Sequence, residues 1–259
     1  MDSEALAEAI RAAEGRRAIG NMDIDKLLAQ LAERLKKAYG ERLVSLMLYG
    51  SAASDNHHDK FSDLNILCVL TRITTQELEQ SEQIFRWWRE QDSPAPLLLS
   101  EEEVLTSTDC FPIEFHDIQA RHKLLAGRDV VSSLEIDYSF YRARVEYELR
   151  SKMLRLRQKA AAVLSDNDAL LRLMADSVST FATLARHAVI LAGGEAKWGK
   201  RDVFEACQEK FNLDPAPFAT LMDLREGSKK PKQVPARPLL ETYLAQVTSL
   251  VSAVDRLEK

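Results

Sequence analysis

Apolar residues in the first half of the chain follow two different periods. Two segments repeat their apolar positions every three to four residues, which predicts amphipathic helices. Four short runs, rich in aliphatic residues and bounded by polar or glycine-containing segments, predict strands. Strands that alternate with helices through short loops favour a helix-covered sheet. The helices are predicted over residues 23–39, before Gly40, and 74–91, with Thr74 or Thr75 as N-cap; the strands are predicted over 42–50, 63–70, 93–100 and 111–118.

The second half shows only the helical period. From about residue 132 no strand pattern remains, and breaks rich in glycine, proline, asparagine or aspartate separate the apolar stripes. We therefore expect an α/β (α+β) fold class, with a small mixed-sheet domain over 1–130 followed by an all-α helical bundle over 131–259. Five helices are predicted in the bundle, over 139–164, 168–192, 200–211, 215–226 and 237–257.

Composition and charge narrow the class of protein. Hydrophobic residues make up 46% of the chain and charged residues 29%, which is typical of globular domains. No run approaches the roughly 20 apolar residues of a membrane span, and the acidic first residues do not resemble a signal peptide. Three cysteines without C-x-x-C spacing favour a reducing compartment, so we expect a cytoplasmic protein. The net charge is −8 over residues 1–125 and +3 over 126–259, and the total of −5 disfavours a dedicated nucleic-acid partner.

The segment 48–70 carries the candidate chemistry. One predicted strand ends at Gly50 and Ser51, and the next begins with Asp63 and Asn65 after a polar loop. Residues two apart on a strand share a face, so the last two side chains should project together. Their oxygens suit a hard cation such as Mg²⁺, glycine lets a phosphate approach the backbone, and serine adds a hydroxyl donor. The pattern predicts a site for a divalent cation and a phosphate.

This pattern resembles the motif of the nucleotidyltransferase superfamily related to DNA polymerase beta, in which Gly-Ser precedes Asp-x-Asp. The order of an α/β domain and a helical bundle is similar to that of the aminoglycoside nucleotidyltransferases. The resemblance implies that Gly50 and Ser51 contact the phosphates of a nucleotide and that Asp63 binds a metal ion. The second ligand position falls on Asn65. Because an amide oxygen brings no negative charge, this departure weakens metal affinity and control of charge in the transition state.

The family also has a third carboxylate on a later strand, and the predicted strand 111–118 contains Glu114. On an alternating strand Glu114 and His116 would share one face, while Asp117 would point to the other. The segment is similar to the Pro-x-Glu-x strand of the adenylyltransferases that act on streptomycin-type drugs. The resemblance implies that Glu114 is a general base and third metal ligand, with Asp117 as the weaker choice.

The implied reaction moves an NMP group from an NTP, with ATP expected, to a hydroxyl of a small-molecule acceptor that the sequence does not specify. Mg²⁺ or Mn²⁺ would assist, and pyrophosphate would leave. The expected partners are therefore a nucleotide and a small acceptor, without a membrane or nucleic acid. The oligomeric state stays open.

Other polar and aromatic residues have a structural explanation beside a functional one. Adjacent histidines in a loop are usually exposed, although a ligand role is the alternative. The basic run over 142–159 is typical of a solvated helix face, with contact to a triphosphate or an anionic acceptor as the alternative. The aromatic pair in 74–91 and the histidine in 168–192 are predicted to be core residues. The histidines are His57 and His58, the aromatic pair is Trp87 and Trp88, and the helical histidine is His187. Asp55 or Asp59 is an alternative source of the missing carboxylate, and Glu146 and Glu148 could instead face a cationic acceptor. Trp198, in a glycine-containing turn, is left without an assigned role.

Two rival functions follow from the same motif. In the first, Asn65 reflects a loss of catalytic activity, and the fold serves as a nucleotide- or partner-binding module. In the second, the protein attaches nucleotides to another protein, as small antitoxin-type nucleotidyltransferases do. The large helical half argues against the second rival, and so does the lack of the R-x4–6-H motif of their partner nucleases.

Overall fold

The computed structural model describes residues 21–53, 64–91 and 93–257. The chain divides into two compact units, 1–137 and 138–259. The described part of the first unit holds a four-stranded sheet with helices, and the described part of the second unit is helical. The predicted fold class, a small mixed-sheet domain followed by a helical bundle, is therefore confirmed.

The first unit alternates helices and strands. A 3₁₀ turn over Gly40–Arg42 follows the first helix, and another over Ser51–Ala53 follows the first strand. The helices are α1 (Asn21–Tyr39), α2 (Thr75–Arg89), α3 (Glu101–Thr106) and α4 (Pro112–Ala120). The strands are β1 (Leu43–Tyr49), β2 (Asn65–Leu70), β3 (Leu97–Ser100) and β4 (His122–Gly127).

The sheet has the strand order β3-β2-β1-β4. β1 pairs antiparallel with both β2 and β4, while β2 pairs parallel with β3. Alternate residues of the central strands divide between two cores, as the two-residue period of a strand requires. Leu46, Ile66 and Cys68 pack with α1 and α2 on one face. Met47 and Leu67 pack on the other face with Phe115 and Ile118 of α4, so α4 covers that face.

The start of α2 was predicted from its capping residue. Thr74 accepts a hydrogen bond from the Gln76 amide, and the Glu77 carboxylate accepts one from the Thr74 amide at 2.9 Å. This reciprocal pair is a capping box. The Glu77 side chain is buried and forms an ion pair with Arg42, which links α2 to the start of β1.

The prediction of a strand over 111–118 is wrong, because these residues form α4. Proline is favoured at the first helical position, because an N–H group there would have no intrahelical acceptor. Phe115 and Ile118 lie three residues apart and are both buried, which is helical spacing. Glu114 and His116 are therefore about 200° apart around a helix instead of sharing a strand face. Asp117, three residues after Glu114, lies on a similar side of the helix.

The strand predicted over 93–100 is confirmed only for Leu97–Ser100. Pro94 and Pro96 lack the N–H that a sheet ladder needs, which explains the late start. The sequence patterns also missed β4, which ends at Gly127. Gly127 has φ +76°, and a Cβ there would stand 2.2 Å from the Val44 carbonyl oxygen. Only glycine therefore allows β4 to approach β1 so closely.

The second unit contains all five predicted helices. They are α5 (Tyr141–Val163), α6 (Asn167–Leu191), α7 (Lys200–Phe211), α8 (Ala216–Glu226) and α9 (Ala236–Asp255). Their core includes Phe204 stacked on Phe218, with ring centroids 3.8 Å apart, and Tyr243 packed edge-on against Phe218. His187 is fully buried, as predicted, and its Nδ1 lies 2.5 Å from the Tyr141 hydroxyl. None of the helices within the described ranges is long and apolar enough to cross a membrane.

The basic run of α5 forms ion pairs along its own helix. Glu146 pairs with Arg142 at 2.8 Å and with Arg150 at 2.7 Å. Glu148 pairs with Arg144 at 2.9 Å. Arg142, Glu146 and Glu148 are half-buried, so these pairs lie at the border of the packed face of α5 and not on a fully solvated face.

Candidate functional site

The Gly50-Ser51 turn leaves the end of the buried strand β1. Gly50 has φ +82°, a conformation that glycine adopts without steric cost. Its amide donates to the Arg121 carbonyl at 3.0 Å, and its carbonyl accepts from the Ala53 amide at 3.1 Å. Ser51 is exposed and begins the 3₁₀ turn that follows. The turn is thus tied to the corner between α4 and β4, while the serine faces solvent.

Asn65 lies beside this turn. It is the first residue of β2, is half-buried, and pairs across the sheet with Tyr49. A Cβ on Gly50 would lie 3.5 Å from the Asn65 Nδ2, an ordinary van der Waals distance, so the turn and the amide are direct neighbours. Tyr49 also pairs with His122 on its other side. Asn65, Tyr49 and His122 therefore form one row across three strands at this end of the sheet.

Glu114 lies in the first turn of α4, on the face of the sheet that carries Tyr49. Its side chain is exposed. The pKa of Tyr49 is raised, first by burial and second by the negative charge of Glu114. The phenol therefore keeps its proton and can donate a hydrogen bond. Glu114 therefore lies on a helix and not on the predicted strand, close enough to Tyr49 for its charge to affect the pKa of the phenol.

Asp63 lies outside the described residues, as do the loop candidates Asp55, His57, His58 and Asp59. The roles predicted for them stay predictions. β3, the parallel neighbour of β2, is formed by Leu97–Ser100 and has no carboxylate side chain. Within the described residues, the candidate for the acid predicted on a later strand, Glu114, therefore lies on a helix and not on a strand.

The donor atoms at this end of the sheet fit a hard cation in kind. The Asn65 amide and the Glu114 carboxylate offer oxygen, which Mg²⁺ prefers. Of these two described residues, only Glu114 carries a negative charge, because the Asn65 amide is neutral. The fit therefore depends on Asp63 as the charged ligand next to the neutral amide.

A polar cluster at the start of β4 was missed by the sequence patterns. The His122 Nδ1 lies 2.9 Å from the Ile118 carbonyl oxygen, and its Nε2 lies 3.1 Å from the Asp129 Oδ2. The Ser132 hydroxyl donates to the same oxygen at 2.5 Å. The other carboxylate oxygen accepts the amides of Val131 at 2.9 Å and Ser132 at 3.0 Å. The only sequence signal for this cluster was an aspartate followed three residues later by a serine, which is typical of an Asx turn.

This cluster lowers the pKa of Asp129. Burial acts in the opposite direction and is the largest single effect, but the hydrogen bonds from the Ser132 side chain and amide, His122 and Val131 together outweigh it. Asp129 therefore stays a carboxylate and holds the segment after β4 in place.

Comparisons with known proteins find a likeness in structure and none in sequence. No protein-family model matches the sequence, and no curated protein matches it. Among solved structures, the chain is similar to the spectinomycin adenyltransferase AAD(9) from Enterococcus faecialis, determined with ATP and spectinomycin. The two share 11% sequence identity over 89% of this chain and 99% of that chain, with a TM-score of 0.46. Function has therefore to be inferred from the residues of this chain.

Proposed function

We propose that this protein is a nucleotidyltransferase that moves an NMP group from an NTP, with ATP as the first candidate, to a hydroxyl of a small-molecule acceptor. The observation that carries the proposal is the juxtaposition of the Gly50-Ser51 turn and Asn65. They meet at one sheet end, in the strand order that the motif requires, with Glu114 on the adjoining helix. The resemblance to the nucleotidyltransferase motif supports this type of chemistry, and the positions of Gly50, Ser51, Asn65 and Glu114 support this location for the site.

In this proposal Asp63, Asn65 and Glu114 would hold a divalent cation, which would neutralise charge on the triphosphate. Ser51 donates its hydroxyl to a phosphate oxygen. Glu114 accepts the proton of the acceptor hydroxyl, whose oxygen forms a bond to the α-phosphorus. The bond between the α-phosphorus and its bridging oxygen breaks, and pyrophosphate leaves. The exposure of the Glu114 side chain gives a small acceptor direct access to it.

Calorimetric titration tests the binding step. ATP, GTP, CTP and UTP are titrated into the full chain with and without Mg²⁺ or Mn²⁺, and the acceptor screen follows by pyrophosphate release. We expect metal-dependent binding that Asp63→Ala abolishes. Glu114→Ala should lower pyrophosphate release by roughly 10²- to 10⁴-fold, the usual contribution of a general base. Glu102→Ala, which removes an exposed acid from α3, is the matched control and should change neither. If no nucleotide binds under any metal condition, the proposal is contradicted.

A second candidate function, a catalytically impaired module that binds a nucleotide or partner, is favoured by two observations. Asn65 replaces a carboxylate, and β3 carries none. Asn65→Asp separates the two functions, because it adds the missing charge at an unchanged position. An enzyme should release pyrophosphate faster in this variant or keep its rate. A binding module should bind the metal more tightly and still release no pyrophosphate.

A further inference from the structure

The corner between α4 and β4 is held by an arrangement of hydrogen bonds that the proposed reaction does not use. α4 ends at Ala120, and its last carbonyl groups lack intrahelical partners. The His122 ring satisfies one of them, the Ile118 carbonyl, at 2.9 Å. A histidine in this position caps the helix and fixes the angle at which the chain leaves it.

The residue at that corner is Arg121, and its carbonyl contacts the candidate site directly. Arg121 is extended, with φ −144° and ψ 93°, and its carbonyl oxygen accepts the Gly50 amide at 3.0 Å. The next residue, His122, pairs with Tyr49 in the sheet. The carbonyl that holds the turn is therefore fixed between the capped helix on one side and the strand pairing on the other.

The ring of His122 also contacts the segment that follows β4. Its Nε2 faces the Asp129 carboxylate at 3.1 Å, and that carboxylate is fixed by two backbone amides and by the Ser132 hydroxyl. The Gln119 side chain adds a connection between α4 and the same segment, because it donates to the Val131 carbonyl at 3.0 Å. Rotation of the imidazole away from Ile118 would therefore also move its Nε2 away from the Asp129 carboxylate.

We propose that His122 is a positioning residue for the Gly50-Ser51 turn, and that Asp129 holds its ring in the capping orientation. The ring fixes the Arg121 carbonyl, the carbonyl fixes the Gly50 amide, and the turn then presents Ser51 and the neighbouring amide groups in one geometry. The effect on a nucleotide rests on the proposed function, whereas the hold on the turn does not.

The test compares variants of the full chain by hydrogen exchange of the Gly50 amide and by titration of ATP with Mg²⁺. His122→Phe keeps an aromatic ring and removes both ring nitrogens. Asp129→Asn is the milder second variant, which keeps the shape and removes the charge. Lys123→Ala is the matched control, because it is the next residue of the same strand and loses only an exposed ion pair with Asp25.

His122→Phe and Asp129→Asn should each accelerate exchange of the Gly50 amide about tenfold, which is the effect of losing one charge-assisted hydrogen bond. Each should also lower the affinity for ATP by a similar factor. The control should change neither. Faster exchange in a chain whose wild type binds no nucleotide would support the hold on the turn and contradict the proposed function. Unchanged Gly50 exchange in folded variants, with faster exchange only over residues 128–134, would overturn the proposal. Faster Gly50 exchange with unchanged ATP affinity would overturn the link to the nucleotide.

Discussion

Gly127→Ala should destabilise the first unit strongly, because it combines two separate costs. An L-residue at φ +76° costs roughly 1–2 kcal/mol in the left-handed region. The new Cβ would also stand 2.2 Å from the Val44 carbonyl oxygen and 2.8 Å from its carbon, which are backbone atoms that cannot rotate away. Relief requires β4 to move off β1, and overpacking of this kind costs roughly 1–3 kcal/mol. The expected loss is about 2–5 kcal/mol of unfolding free energy.

Urea unfolding measures this loss. A Trp198→Phe background leaves Trp87 and Trp88 of the first unit as the fluorescent reporters. Gly40→Ala is the control, because Gly40 has φ +56° but a Cβ there would meet no atom within 4 Å. The control should therefore lose only the conformational cost of roughly 1–2 kcal/mol. Equal losses in the two variants would refute the close-approach argument, because the clash with Val44 is the feature that separates them.

Three further outcomes follow from contacts in the two units. Trp88→Phe should cost about 1–3 kcal/mol, because the fully buried indole loses packing volume and its 2.9 Å hydrogen bond to the Pro94 carbonyl; a midpoint in urea equal to wild type would contradict this. Tyr243→Phe should cost about 1 kcal/mol, and a double-mutant cycle with Ser177→Ala should show coupling across their 2.8 Å contact instead of additivity. The folded pKa of Asp129 is depressed, so its stabilisation is present above its unfolded pKa of about 4 and is lost as pH falls towards the folded value; Asp129→Asn should therefore flatten the acid limb of unfolding, and an unchanged limb would be the contrary result.

Local signals predicted most of the fold. The helices of the second unit carry continuous apolar stripes with clear breaks, so their positions follow from periodicity alone. Thr74 was one of the two residues predicted as the N-cap of α2, and its side chain accepts a hydrogen bond from the Gln76 amide. These features depend on residues close in sequence, which is why a single sequence reveals them.

The errors fall where short apolar runs fit both periods. Residues 111–118 alternate well enough for a strand, but Pro112 at a helix start and the burial of Phe115 with Ile118 select the helix. β4 fully buries only Ala126, so its pattern of buried positions is weak, and it is held by backbone pairing with β1. Tertiary context, not local preference, decides such segments.

The candidate site shows the same division. Gly50 and Asn65 come together through two strands that follow each other in the chain, so the motif predicted their proximity. His122 depends on contacts with Ile118 and Asp129, which only the folded corner supplies. A histidine in a weak strand pattern carries no sequence signal for that role.

The pairing of β4 with β1 also has a consequence for synthesis of the chain. Tyr49 pairs with His122, so one edge of β1 stays unpaired until β4 is synthesised, more than 70 residues later. At translation rates of about 5–20 residues per second, that wait lasts on the order of ten seconds. During this interval an apolar strand edge, which includes Leu46 and Met47, stands open to pairing with other chains. Aggregation of the nascent chain is therefore expected in the interval between the synthesis of β2 and that of β4, when this edge has no partner.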